Sequence, residues 1–167
     1  MKVVLIGFAC SYKTSVGKIL ADKLGYESVD VDEEISRIYG CSVTEIFNKF
    51  GESDFRRTEG EVIKACCAKD NVVVSCGGGS PTLREFADLA KCSTVVWLQS
   101  SAQTVASRLD GGSRPLFDGL DIDSLSKQIS ERNAIYALYA QNIIISTDGF
   151  SSAEVAQTVY SKLFEHA

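Results

Sequence analysis

Five short runs of apolar and β-branched residues recur along the chain, and between them the apolar positions repeat every three or four residues. The short runs are Val3-Val4-Leu5-Ile6, Ser28-Val29-Asp30-Val31-Asp32, Val72-Val73-Val74-Ser75-Cys76, Thr94-Val95-Val96-Trp97-Leu98 and Ile143-Ile144-Ile145. Their length and β-branched content predict strands. The segments between them read as helices. The first carries Val16-Gly17-Lys18-Ile19-Leu20-Ala21 and is ended by Gly25. Others are expected over about 33–39, 43–50, 51–68, 82–91, 102–109 and 123–140, with a last one capped by Ser151 or Ser152 and reaching about 164. Ser42 with Glu45 three residues on is a capping-box signature. Phe55, Val62, Ile63 and Cys66 form the apolar stripe of the helix after Gly51. Strands alternating with helices predict a three-layer α/β/α fold with a five-stranded parallel sheet. No repeat or low-complexity segment interrupts residues 1–167, so a single domain is expected.

Parallel strands bring their C-terminal ends to one edge, where open α/β sheets bind ligands. The residues that follow each expected strand are therefore the candidates for chemistry. Six residues after Gly7 come Lys13 and Thr14, and then a helix. Strand, tight loop, Lys-Thr and helix is the layout of a phosphate-binding loop. A helix N-terminus offers unpaired N–H groups and about half a positive charge to an anion. Lys13 would reach the β- and γ-phosphates and the Thr14 hydroxyl would sit on Mg²⁺. The motif calls for glycine at position 12, and this chain has Tyr12; it has Cys10 where a further glycine is common. A Tyr in left-handed geometry costs roughly 1–2 kcal/mol, and its ring is expected to point away from the nucleotide.

Asp30 and Asp32 lie two apart, so on a continuing strand both would face the same way; the plainer alternative is that one of them caps the next helix. Arg56 and Arg57 are adjacent on a helix, about 100° apart, so one is expected to hold an anion and the other to face solvent. Gly77-Gly78-Gly79 follows a buried strand, and backbone N–H groups without side chains allow a ligand close approach. The segment around 110–120, glycine-rich with Arg114 at its centre, is a candidate lid. Arg132 and Tyr136 share one helix. Two carboxylates, several cations and a phosphate loop suit phosphoryl transfer to a hydroxylated, anionic small molecule.

Composition narrows the partners. The net charge of −5 argues against nucleic acid and requires the basic residues to be focused into one cleft to hold an anionic substrate. No apolar run approaches a membrane span and no signal or transit segment is evident, so a cytoplasmic protein without a membrane partner is expected. The six cysteines form no C-x-x-C pair, and the single histidine, His166, is not among them, so reduced thiols are expected and not a zinc site or disulfide framework.

The combination Val29-Asp30-Val31-Asp32, Gly40-Cys41-Ser42-Val43-Thr44-Glu45-Ile46-Phe47, Gly51-Glu52, Phe55-Arg56-Arg57-Thr58-Glu59, Gly77-Gly78-Gly79, Arg114-Pro115-Leu116 and Arg132 with Tyr136 resembles the shikimate kinases, in order and approximate spacing over nearly the whole chain. The resemblance implies a nucleoside-monophosphate-kinase-like fold, with a substrate-binding segment about 32–60 and a lid about 110–120. It implies transfer of the γ-phosphate of ATP to the 3-hydroxyl of shikimate, with Mg²⁺ as cofactor; a monomer is expected, though the sequence itself does not address oligomeric state. Asp32 would bind shikimate hydroxyls and act as base, Arg56 and Arg132 would grip its carboxylate, and Gly78 would donate a backbone N–H to it. Cys10, Ser11, Tyr12, Lys13, Thr14 and Ser15 would cradle the phosphates, Arg108 would lie against adenine, and Lys13 and Arg114 would contact the transferring group. Thr14 would hold Mg²⁺ directly and Asp30 through water. The family usually carries glycine where this chain has Cys10 and Tyr12. Two alternatives stay open at this point: a shikimate-binding chain with impaired ATP turnover, and another small-molecule kinase of the same fold.

Overall fold

The computed structural model describes residues 1–109, 121–140 and 143–165. Its strands are β1 (Lys2–Ile6), β2 (Glu27–Asp30), β3 (Val72–Ser75), β4 (Thr94–Gln99) and β5 (Ile144–Ser146). They form one sheet in the order β2-β3-β1-β4-β5, and every neighbouring pair is parallel. The helices are α1 (Lys13–Leu24), α2 (Val31–Tyr39), α3 (Val43–Cys67), α4 (Arg84–Lys91), α5 (Ala102–Leu109), α6 (Ile122–Tyr136) and α7 (Ser152–Phe164).

Strand side chains alternate between faces, and this divides the core in two. Val3 and Leu5, Val73, and Val96 and Leu98 turn to one face, where Val16 and Leu20 of α1 and Val155 and Val159 of α7 cover them. Val4 and Ile6, Val72 and Val74, and Val95 and Trp97 turn to the other face, beneath α2 to α6. Three layers result, as the alternation of strands and helices predicts. The central strand β1 is buried along its whole length, so the loop at its end leaves from the middle of the sheet.

Several boundaries differ from expectation. Residues 28–32 do not continue as strand: β2 stops at Asp30, which caps α2 by accepting the Glu33 N–H at 3.1 Å. An aspartate followed by Asp32, Glu33 and Glu34 suits a helix N-terminus, where a side-chain acceptor and negative charge are both favoured. Asp30 and Asp32 therefore do not sit on one strand face. The break expected at Gly51 is present: α3 is two helical stretches meeting at that residue, whose φ of 83° and ψ of 168° are non-helical and open to glycine. The Ser42–Glu45 capping box opens α3 as expected, and Gly25 closes α1 in left-handed geometry. Helix α4 starts at Arg84 because Gly79 and Pro81 first set a 3₁₀ turn over Ser80–Thr82. Helix α6 ends at Tyr136, where Leu138 and Tyr139 tighten to carbonyls three residues back. The expected lid at about 110–120, Arg114 included, lies outside the described residues.

Candidate active site

The loop after β1 is shaped by its backbone. Gly7 has φ 151°, and a Cβ there would lie 2.3 Å from the Leu98 carbonyl oxygen, so only glycine lets the chain turn off the sheet. Cys10 (φ 60°) and Tyr12 (φ 65°) are both left-handed, as the motif's glycine positions demand. The buried Ser11 hydroxyl donates to the Phe8 carbonyl at 2.8 Å and closes the turn. Lys13 Nζ lies across the loop and donates to the carbonyls of Gly7 (2.8 Å) and Phe8 (2.7 Å). On the first turn of α1 the Thr14 hydroxyl donates to Asp30 Oδ2 at 2.5 Å. The turn is held from below, where the Ser75 hydroxyl donates to the Lys13 carbonyl at 2.9 Å.

Arg56 and Arg57 separate as their spacing requires. Arg57 is exposed and pairs with Asp54 at 3.0 Å, whereas Arg56 points inward and donates to Glu59 Oε2 at 2.6 Å. Glu59 is fully buried, and its other oxygen accepts the Ser80 hydroxyl at 2.6 Å. The glycine run is packed against these charges. A Cβ on Gly77 would lie 2.9 Å from Asp32 Oδ1 and 3.0 Å from Glu59 Oε1, and one on Gly79 would lie 2.6 Å from Arg56 Nη1. Gly77 and Gly79 are thus glycines for fit to the protein. Gly78 differs: a Cβ there would meet no protein atom closer than 3.6 Å. Its carbonyl accepts the Tyr136 hydroxyl at 2.7 Å, and burial pushes that phenol's pKa up, so it stays a donor.

One cavity of about 690 Å³ collects these groups. The loop residues Cys10, Ser11, Tyr12, Lys13, Thr14 and Ser15 line one part of it together with Arg108. Asp30, Asp32, Arg56, Gly78 and Arg132 line it too, along with Glu59 and the apolar side chains Val43, Phe47 and Phe55. All the expected site residues within the described structure therefore share one cavity; Arg114 is not among the described residues. The volume is within the range typical of small-molecule sites. A loop suited to phosphates, lining one cavity with two guanidinium groups and a carboxylate, can bring a triphosphate and a hydroxylated anion together.

Three supporting residues went unassigned in the sequence. Glu59 falls on the Phe55–Ile63 stripe, four residues from each, and a carboxylate on a buried stripe is a signal that it has a cationic partner. Tyr136 lies four residues after Arg132 on the same helical face. Thr147, which accepts from Arg108 Nη1 at 3.0 Å and through its carbonyl from Nη2 at 2.9 Å, carried no signal, because it meets Arg108 only through the fold.

Mg²⁺ keeps several waters and takes one or two protein oxygens besides phosphates. Thr14 Oγ1 and the Asp30 carboxylate supply such a pair on the loop side of the cavity. Among the described residues no group of three or more His, Cys, Asp or Glu side chains is placed to hold a metal ion. No helix among the described residues is long and apolar enough to cross a membrane.

A family model for shikimate kinase matches residues 9–164. The chain is 38% identical over 160 residues to the shikimate kinase of Thermodesulfovibrio yellowstonii, covering 94% of this chain and 91% of that one. It is 36% identical to the shikimate kinase of Symbiobacterium thermophilum, covering 99% and 97%. Among solved structures it resembles shikimate kinase from Acinetobacter baumannii in complex with shikimate, with a TM-score of 0.87, 28% identity and coverage of 97% and 92%. A gluconokinase from Sinorhizobium meliloti shares the fold, with a TM-score of 0.61 and 20% identity over 97% of this chain and 90% of that one. The family match spans the loop, the two arginines, the glycine run and the cavity they line, and on that ground the chain belongs to the shikimate kinase family, whose members are ATP-dependent kinases.

Proposed function

We propose that the chain transfers the γ-phosphate of ATP to the 3-hydroxyl of shikimate, with residues 1–167 acting as a single, cytoplasmic, monomeric kinase domain. The observation that carries this is the shared cavity, which Lys13 and Thr14 line together with Asp32, Arg56 and Arg132.

The acceptor is held first by its carboxylate. Arg56 and Arg132 grip it, and Glu59 fixes the Arg56 fork. Asp32, packed against the Gly77 backbone, accepts from the substrate hydroxyls, orients the attacking oxygen and takes its proton. The Gly78 N–H donates to the same ligand, and the absence of a side chain lets the ligand come close. The donor's phosphates lie over the loop, where N–H groups of residues 10–15 and the helix N-terminus face them. Lys13 leaves the Gly7 and Phe8 carbonyls to neutralise the γ-phosphate, and Arg114 joins it from the lid segment. Thr14, directly, and Asp30, through water, would hold Mg²⁺, which would supply positive charge to offset that of the donor phosphates.

The test is ADP release with Mg·ATP and shikimate, with gluconate as a control acceptor, together with calorimetry of shikimate alone. Turnover with shikimate and none with gluconate supports the proposal. Turnover with gluconate reassigns the acceptor, and shikimate binding without turnover makes the chain a binding protein.

A further inference from the structure

Two residues depart from the glycine pattern of the phosphate loop, and one arginine touches both. Arg108, near the end of α5, places its guanidinium carbon 3.7 Å from the centroid of the Tyr12 ring. Its Nη1 donates to the Cys10 carbonyl at 2.7 Å. The same group is anchored to the end of β5 through Thr147, whose buried hydroxyl is itself paired with Ser100 at 2.5 Å. One planar cation thus ties α5 and the edges of β4 and β5 to the two positions where the loop is left-handed without glycine.

A guanidinium whose edge is taken up by carbonyl and hydroxyl acceptors, and whose one face lies on a ring, has its plane fixed. What it offers a ligand is the remaining face, and such a face binds a flat ring by stacking. Tyr12 and Arg108 both line the cavity on its loop side. We propose that Tyr12 is a nucleotide-positioning residue: through Arg108 its ring holds the loop in its phosphate-receiving shape and sets the plane against which the donor's base stacks. The inference rests on the ATP-dependent reading given above. Its consequence runs against backbone preference. Glycine at position 12 relieves the left-handed strain but removes the ring, so the two effects predict opposite signs for Tyr12→Gly.

The experiment compares wild type with Tyr12→Phe, Tyr12→Gly, Arg108→Ala and the Tyr12→Gly/Arg108→Ala double variant. For each, KM is measured for ATP and for shikimate, and calorimetry gives Kd for Mg·ADP and for shikimate. Tyr12→Phe keeps the ring and is expected to stay within about twofold of wild type for ATP. Tyr12→Gly is expected to raise KM for ATP and Kd for Mg·ADP about three- to thirty-fold, the range a cation–π contact spans, with shikimate affinity unchanged. Arg108→Ala is expected to do at least as much, and the double variant no more than Arg108→Ala alone, because the ring acts through the arginine. Tighter or unchanged nucleotide binding in Tyr12→Gly overturns the inference. So does a Tyr12→Phe as impaired as Tyr12→Gly, an additive double variant, or a parallel loss of shikimate affinity, which would make Tyr12 a support of the fold. Wild type that binds no nucleotide overturns the kinase reading itself, before any variant is made.

Discussion

Converting Glu59 to glutamine tests how the acceptor's carboxylate is gripped. Glu59 is fully buried and shares its two oxygens between Arg56, at 2.6 Å, and Ser80, also at 2.6 Å. Arg56 keeps about a quarter of its side chain exposed toward the cavity, at 27%. Glu59→Gln keeps the shape but replaces a charge-assisted bond by a neutral one, a loss of about 1–2 kcal/mol in what fixes the fork. That energy is felt by the shikimate carboxylate, which needs the fork in place, so KM for shikimate should rise about five- to thirty-fold. KM for ATP, set on this reading by the loop residues and not by Arg56, should change by less than about twofold. Glu59→Ala removes the buried partner but leaves Arg56 part-exposed and 3.6 Å from Glu52, so the cost is that of a lost charge-assisted bond, about 1.5–3 kcal/mol. For a chain of this size that lowers Tm by about 3–12 °C. Steady-state ADP release with each substrate varied, and thermal unfolding of both variants, provide the readouts. An unaltered shikimate KM in Glu59→Gln, in a protein whose Arg56→Ala loses shikimate, would refute the claim that Glu59 positions that arginine. A Tm unchanged in Glu59→Ala would refute its structural weight.

Lys13→Ala should lower kcat by about 10²–10³, the worth of a preorganised charge at a developing anion, while shikimate still binds in calorimetry; equal loss of both would displace Lys13 from the phosphate end. Asp32→Asn should lower kcat by about 10²–10⁴, the usual value of a positioned base, and a near-normal rate would remove Asp32 from that role. Gly78→Ala should fold with near-normal Tm, since no protein atom lies within 3.6 Å of the added Cβ, yet lose shikimate affinity; unchanged affinity would mean the ligand does not approach there. Burial raises the Cys66 thiol from 9.0 to about 11 and the Cys76 thiol well above 9.0. A buried neutral acid of this kind stabilises the fold fully below its unfolded pKa and loses that contribution as pH rises through the folded value. Denaturant midpoints should therefore fall between pH 9 and about 11, and a flat profile would contradict it.

The fold was legible because its signals are local. Five β-branched runs between helical periods need no long-range information, and the parallel order follows from the crossover helices. The site was legible where a residue type has one chemistry at a given place, as with Lys13 at a helix start or Arg56 opposite Arg57. Asp30 was harder. Its strand and cap readings differ only by where β2 stops, and that is decided by the run of acids that follows it. The Arg108 contacts were hidden altogether. Thr147 is 39 residues away and Cys10 98 residues away in the chain, and no local pattern joins them. Tyr12 in the sequence is only a misfit; its stacking partner becomes visible when the sheet brings α5 back to the loop.

The Asp30 carboxylate serves two neighbours at once, the Thr14 hydroxyl with one oxygen and the Glu33 N–H with the other. Asp32 stands two residues further along that same first turn. On the proposed roles, a displacement of Asp30 on nucleotide binding would reach Asp32, the group assigned to the acceptor, through the turn they share. Reciprocity then follows from thermodynamics: whatever factor the donor imposes on shikimate affinity, shikimate must impose on the donor's. Titrating each ligand in the presence and absence of the other measures that common factor twice, by independent routes.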